Sequence, residues 1–211
     1  MKVLKCFLFG AAVLGVCVLM HFYGEATAAK EMQEDIAKEV IRLHVVANSD
    51  LEMDQKLKLE VKEEIVKMLR KKMKESDSVE AAAHVLQAQI PEIEQCAANY
   101  IEKKGYDYPV TATLENCYFP VKQYGDMVFP AGKYEAFRID IGDSEGKNWW
   151  CVLFPPLCFV DSTYAVVPED TKDEFRNVLS NEAYFAITMS EPDNNYVIRF
   201  KYLTFLNKLL D

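Results

Sequence analysis

The chain has 211 residues, half of them hydrophobic and 27% charged, which suits one domain with its own core rather than a disordered chain. The net charge of −9, with no basic patch to offset it, argues against a nucleic-acid partner and against docking on anionic lipid heads.

Lys2 and Lys5 precede an apolar run from Cys6 to Met20, and Ala26-Thr27-Ala28 follows. A charged start, a short apolar run and small residues at an A-x-A site predict a secretory signal peptide cleaved after Ala28. The other reading is an uncleaved membrane anchor, because Phe22 and Tyr23 extend the run toward the length of about 20 residues that a span needs. Residues 1–28 are thus a signal peptide or anchor, residues 29–161 a folded domain and residues 162–211 a C-terminal extension.

Residues 30–37 are mostly polar, helical or loose. The first strand is expected over 38–47, with Ile41, Leu43 and Val45 alternating with Arg42, His44 and Val46. Asn48-Ser49-Asp50 ends it. Ser49 and Glu52 have capping-box spacing before a helix over 51–74. Its inward stripe is Leu57, Val61, Ile65, Met68 and Leu69, and Lys58, Lys62, Glu63, Lys67 and Arg70 form a solvated face. A second helix is expected over 78–90. Pro91 then opens a third, 91–104, which Gly105 closes.

Strands follow: 110–119, a short one at 127–129 and another over 133–141. In the last, Tyr134, Ala136, Arg138 and Asp140 share one face, and Phe137, Ile139 and Ile141 the other. Gly142 to Gly146 is a loop from which the next strand should return antiparallel. That next stretch, Lys147 to Asp161, holds both tryptophans, two cysteines and Pro155-Pro156. It reads as a strand buried on both faces and stopped by the prolines, or as an exposed recognition edge, since aromatic residues anchor interfaces. A short helix is expected over 171–180. Residues 196–211 suit an amphipathic terminal helix, with strand-like alternation at Ile198, Phe200 and Tyr202. The fold class is α+β: a largely antiparallel sheet with helices packed on one face, preceded by the N-terminal apolar segment.

Cys96, Cys117, Cys151 and Cys158 follow the export segment. A Cys151–Cys158 disulfide is possible because Pro155-Pro156 could fold the chain back. An extended strand would separate the pair beyond the Cα distance of about 7 Å that a bridge allows, so buried free thiols are the expectation. The spacing fits no zinc motif. Asp50 and Asp54 beside Asn48 and Ser49 could offer oxygen ligands to a divalent cation, but helix capping already accounts for Ser49 and Asp50. His44 with Cys151 could form a nucleophile and base of a hydrolase only if the fold brings them together. No glycine-rich phosphate loop or G-x-S-x-G elbow is present, so neither catalysis, cofactor nor metal is expected.

Two long stretches, with two shorter ones, resemble one family. They are Ile41-Arg42-Leu43-His44-Val45-Val46-Ala47-Asn48-Ser49-Asp50 with Asp54-Gln55, and Gly146-Lys147-Asn148-Trp149-Trp150-Cys151 running on through Leu153-Phe154-Pro155-Pro156-Leu157-Cys158 to Asp161. Tyr106-Asp107-Tyr108-Pro109-Val110 and Phe129-Pro130-Ala131-Gly132-Lys133-Tyr134-Glu135-Ala136 lie between them. In order, over residues 38–161, they resemble the stage II sporulation protein R family. Leu51 is apolar where that pattern is polar, and the tail after Asp161 has no counterpart. The resemblance implies a signal of endospore-forming bacteria, made in the forespore and exported into the space between forespore and mother cell. There it would act on a membrane-embedded aspartic protease of the stage II sporulation protein GA type, which removes the pro-sequence of mother-cell sigma factor E. An exported hydrolase and a structural envelope protein are the competing readings.

Arg42, His44, Asn48, Asp50, Lys147 and Asn148 are polar residues within or beside apolar runs. A sheet of this kind can bring the 48–50 junction and the 142–148 loop to one end. With Ser49 and Asp54 they are expected to form a polar rim around an aromatic anchor, Trp149 or Trp150, that contacts the protease. The plainer alternative is that they are caps and turn residues.

Overall fold

The computed structural model describes residues 2–73, 76–158 and 166–188. The expected terminal helix and alternating strand of residues 196–211 lie outside them, as do Phe159, Val160 and Asp161. The elements in chain order are α1 (Lys2–Lys38), β1 (Ile41–Val46), α2 (Glu52–Met73), α3 (Val79–Lys103), β2 (Val110–Phe119), β3 (Lys122–Tyr124), β4 (Met127–Phe129), β5 (Gly132–Ile141), β6 (Asn148–Phe154), α4 (Glu169–Val178) and α5 (Asn181–Thr188).

The fold is α+β around a four-stranded sheet of order β2-β5-β1-β6. The β2–β5 and β1–β6 pairs are antiparallel and β1–β5 is parallel. Here the chain departs from the expected hairpin. β6 does not pair with β5: β1 lies between them, with His44 opposite Arg138 on one side and Trp150 on the other. A loop of this length can close a hairpin or step across one strand, and the fully buried β1 takes the central place. β1 was expected to alternate, yet all six of its residues are buried because both faces of the sheet are covered.

On one face, α2 and α3 bury Leu57, Val61, Ile65, Leu69, Ala82, Leu86, Ile93 and Ala97 against Leu43, Val45, Phe137 and Ile139. On the other face the end of α1, the β3–β4 hairpin, α4 and α5 close a second core around Ile36, Phe119, Phe129, Tyr134, Val152 and Phe175. β5 supplies Tyr134 and Ala136 to this core and Phe137 and Ile139 to the first, as its alternation requires.

α3 is one helix where two were expected. Pro91 lies inside it on the exposed side, so its missing N–H faces solvent while the buried stripe from Ala82 to Ile101 runs past it. Ser78 caps its start by accepting from the Ala81 N–H, and Gly105, at φ +85°, supplies the left-handed turn after its end. In α1, residues 13–31 are exposed. Its last turns are held to the domain by Ile36, which is fully buried, and by Gln33, which donates to the Lys133 carbonyl at 3.0 Å. No helix among the described residues is long and apolar enough to cross a membrane.

Candidate functional site

The chain leaves β1 at Ala47 and makes a tight junction, Asn48 to Leu51, before α2. The loop from β5 to β6 must cross this end of β1 to reach its far side. The crossing is held mainly by the junction. The Gly146 N–H donates to the Ala47 carbonyl at 3.0 Å and the Glu145 N–H to the Asn48 carbonyl at 3.2 Å. Asn48 Oδ1 accepts from the Asp143 N–H at 2.9 Å, and Asp50 Oδ1 accepts from the Lys147 N–H at 2.7 Å. The two stretches therefore meet at one end of the sheet, as expected. The approach is close: a Cβ on Gly146 would stand 2.3 Å from the Ser49 carbonyl oxygen.

Asp54, in the first turn of α2 and 2% exposed, is the hub beneath the junction. Its Oδ2 accepts from Ser49 Oγ at 2.6 Å and Asn48 Nδ2 at 2.9 Å, and its Oδ1 accepts from the Tyr108 hydroxyl at 3.1 Å. Burial pushes its carboxyl up, but the bonds from Ser49, Asn48 and Tyr108 outweigh burial, and its pKa lies below the ordinary value. Ser49 accepts from the Leu51 N–H at 3.1 Å, so its hydroxyl serves this hub rather than a capping box with Glu52. Lys58, expected on the solvated face, is 4% exposed. It donates to the Lys147 carbonyl at 2.8 Å and to Gln55 Oε1 at 2.7 Å, and burial lowers its pKa. Of the oxygens that might have held a cation, Asn48 Oδ1, Ser49 Oγ, Asp50 Oδ1 and both of Asp54 are engaged in these bonds. The described residues contain no group of three or more His, Cys, Asp and Glu side chains able to hold a metal.

The remaining residues of the expected rim divide between the two faces. His44 is 6% exposed, stacks on Trp150 with centroids 4.0 Å apart, and places Nε2 2.6 Å from Asn148 Oδ1. Burial lowers its pKa, partly opposed by the Asn148 bond. Trp149 is half-buried on the opposite face, with Lys62 Nζ 4.7 Å above its ring. Arg42 is no part of a rim. It is fully buried in the second core, its guanidinium carbon 4.5 to 5.8 Å from the centroids of Phe119, Tyr134, Phe129 and Tyr124. Its Nε donates to the Cys151 carbonyl at 2.9 Å and its Nη2 to the Tyr124 hydroxyl at 3.0 Å.

At this end Asp50, Lys147 and Asn148 face solvent, as do Glu52, Asp143 and Glu145, together with Leu51 at 62% and Met53 at 52% exposed. The sequence signal for Leu51 was its departure from the polar pattern. Nothing in the sequence singled out Met53.

Cys151 and Cys158, expected as free thiols, form a disulfide with Cα atoms 5.7 Å apart. The expectation assumed an extended chain. Instead the chain turns after β6, the Leu157 N–H donating to the Pro155 carbonyl at 2.8 Å and the Cys158 N–H returning to the Val152 carbonyl at 2.9 Å. The bond removes the thiolate that a hydrolase built on His44 and Cys151 would need. Cys117 is free, but burial pushes its thiol up to about 11, which keeps it protonated at neutral pH.

The family model of stage II sporulation protein R matches residues 37–164, from the end of α1 past the Cys151–Cys158 turn. The chain belongs to the stage II sporulation protein R family. With that family it is a sporulation signalling protein. The stage II sporulation protein R of Bacillus subtilis (strain 168) is 38% identical over 152 residues, which are 71% of this chain and 68% of that protein. No solved structure matches. Both halves of the β1–loop junction fall inside the stretch matched by the family model.

Proposed function

We propose that this family member is an exported signal, not an enzyme, that activates a membrane-embedded aspartic protease of the stage II sporulation protein GA type. The protease then processes the precursor of mother-cell sigma factor E. The chain would pass from the forespore into the space between the two cell membranes by way of residues 1–28, which are cleaved after Ala28. Its only membrane contact would be that segment, before cleavage. The supporting observation is the solvent-facing end of the β1–loop junction. Leu51 and Met53 are two exposed apolar side chains beside Asp50, which accepts from the Lys147 N–H, and the network of Asp54 and Lys58 fixes the backbone beneath them. Apolar anchors beside polar groups, on rigid support, are what a specific protein contact needs. Activation follows if this surface binds the protease's active state more tightly than its inactive one, since a ligand shifts an equilibrium only by that difference.

The test is a reconstitution of precursor cleavage with the purified signal and the protease. Leu51→Asp with Met53→Asp, and separately Lys147→Ala with Asn148→Ala, are compared with the parent for processing and for melting temperature. We expect processing to fall about tenfold or more in the first pair, as for interface anchors, with the melting temperature held. Unchanged processing by the first pair would move the docking face elsewhere. A loss that only tracks melting temperature would make these residues servants of the fold.

A further inference from the structure

The Cys151–Cys158 bond sits where the sheet, its two cores and the way out to α4 meet. Cys151 is 6% exposed in β6, opposite Leu43 of β1, and its carbonyl accepts from Arg42 Nε. Cys158 is half-buried against the same core as Cys151, whereas Leu157, one residue earlier, is 3% exposed in the other core. One short covalent loop therefore fastens the end of the tryptophan strand to the start of the segment that leads to α4 and α5. Among the described residues, the backbone bonds of this turn are those of Leu157 to Pro155 and Cys158 to Val152.

We propose that the Cys151–Cys158 bond is an oxidation-dependent lock on the fold: it closes the turn after β6, seats Leu157, and completes the domain only in a compartment that permits disulfides. The location rests on the proposed export; the lock itself is a property of the purified protein. The chemistry is exchange with an external disulfide. Cys158, the more accessible of the two, loses its proton and its thiolate attacks one sulfur of the external disulfide, releasing one external thiolate. Cys151 then loses its proton, attacks Cys158 Sγ and releases the second. One S–S bond forms in the protein and one breaks in the reagent. The two protein thiols are oxidised, and the reagent is reduced to two thiols that take up the two protons.

The experiment uses the purified chain, oxidised with glutathione disulfide or reduced with dithiothreitol. After unfolding without reductant, alkylation should label Cys96 and Cys117, with Cys6 and Cys17 where residues 1–28 are retained, but leave Cys151 and Cys158 unlabelled in the oxidised sample. Cleavage by chymotrypsin after Leu157 should be about tenfold faster or more in the reduced chain and in Cys158→Ser, because opening this turn no longer stretches a covalent loop. Free Cys151 and Cys158 in the oxidised sample would overturn the proposal, as would equal cleavage rates in both redox forms and in Cys158→Ser. Should the redox forms differ while the chain in sporulating cells is found unexported, the lock stands and the proposed location falls.

Discussion

Asp54→Ala is the sharpest probe of the β1–loop junction. The substitution removes the acceptor for Ser49 Oγ and Asn48 Nδ2, and for the Tyr108 hydroxyl, while leaving the apolar stripe of α2 intact. A hydrogen bond to a charged group contributes about 1.5–3 kcal/mol net where it is fully buried. Asn48 and Ser49 are only half-buried at the end of the sheet, so water can satisfy them in part, and each of the three bonds counts for about 1 kcal/mol or slightly less. We expect a loss of about 2–3 kcal/mol. For a domain of this size that lowers the melting temperature by about 4–12 °C. The effect should spread in a defined direction. Asn48 holds Asp54 with its amide nitrogen and the Asp143 N–H with its amide oxygen, so losing the carboxylate frees the side chain to turn. Amide hydrogen exchange at Asp143 should accelerate in Asp54→Ala, while the amides of α3 change only with global stability. Asp54→Asn tests the charge separately. It should recover part of the stability but still mispair, since its amide nitrogen can only meet donors at one of the two oxygen positions. A melting temperature for Asp54→Ala within about 1 °C of the parent would refute the hub, because no arrangement of three lost bonds at a buried carboxylate is that cheap.

Gly146→Ala should cost about 2–3 kcal/mol, since its Cβ meets the Ser49 carbonyl oxygen and carbon at 2.3 and 2.6 Å and backbone must move. Gly105→Ala is the contrast: nothing lies within 4 Å, and only the φ of +85° is penalised, at about 1–2 kcal/mol. A denaturant titration that ranked them the other way would contradict the close crossing at Gly146. His44 carries a pH signature. Its folded pKa is lowered, so as pH falls through about 6.5 the unfolded chain takes up a proton that the folded chain resists. Its contribution is thus fully present above that pH and is lost progressively below it. Tryptophan emission, reported by Trp150 against the imidazole, should titrate with a midpoint below 6.5, and a midpoint at or above that value would mean the ring is solvated.

Much of this was legible in the sequence, and the illegible parts share a cause. Alternation in Tyr134 to Ile141 identified both faces of β5, and Gly105 marked the end of α3, because these signals act within a few residues. Partnership between strands is not local, so nothing in Gly142 to Gly146 says whether β6 returns beside β5 or steps over β1. The same gap misplaced Arg42. Period two put it on the face of His44, correctly, but only the aromatic rings of β2 to β5 bury it. Lys58 lay on the polar side of its helix by periodicity, and a carbonyl from the β5–β6 loop, 89 residues away in sequence, draws it inside. The juxtaposition of Asn48 to Asp50 with Lys147 and Asn148 was legible in outline, since polar residues beside buried strands require partners.

The central place of β1 also governs when the chain can fold. β1 is the first strand to be made, yet both its neighbours come from the far end of the domain, and the Arg42 side chain finds the Cys151 carbonyl 109 residues later. A strand that begins a domain and completes its sheet last gives the chain a high contact order. Such chains fold slowly, because a long loop must close before the pairing rewards it. An emerging segment of this protein can therefore form α2 and α3 locally but has no sheet to dock them on until β5 and β6 are present. Late closure keeps most of the chain unfolded until β6 has been made, which would suit the export proposed above, since a polypeptide threaded through a narrow pore must take its shape on the other side.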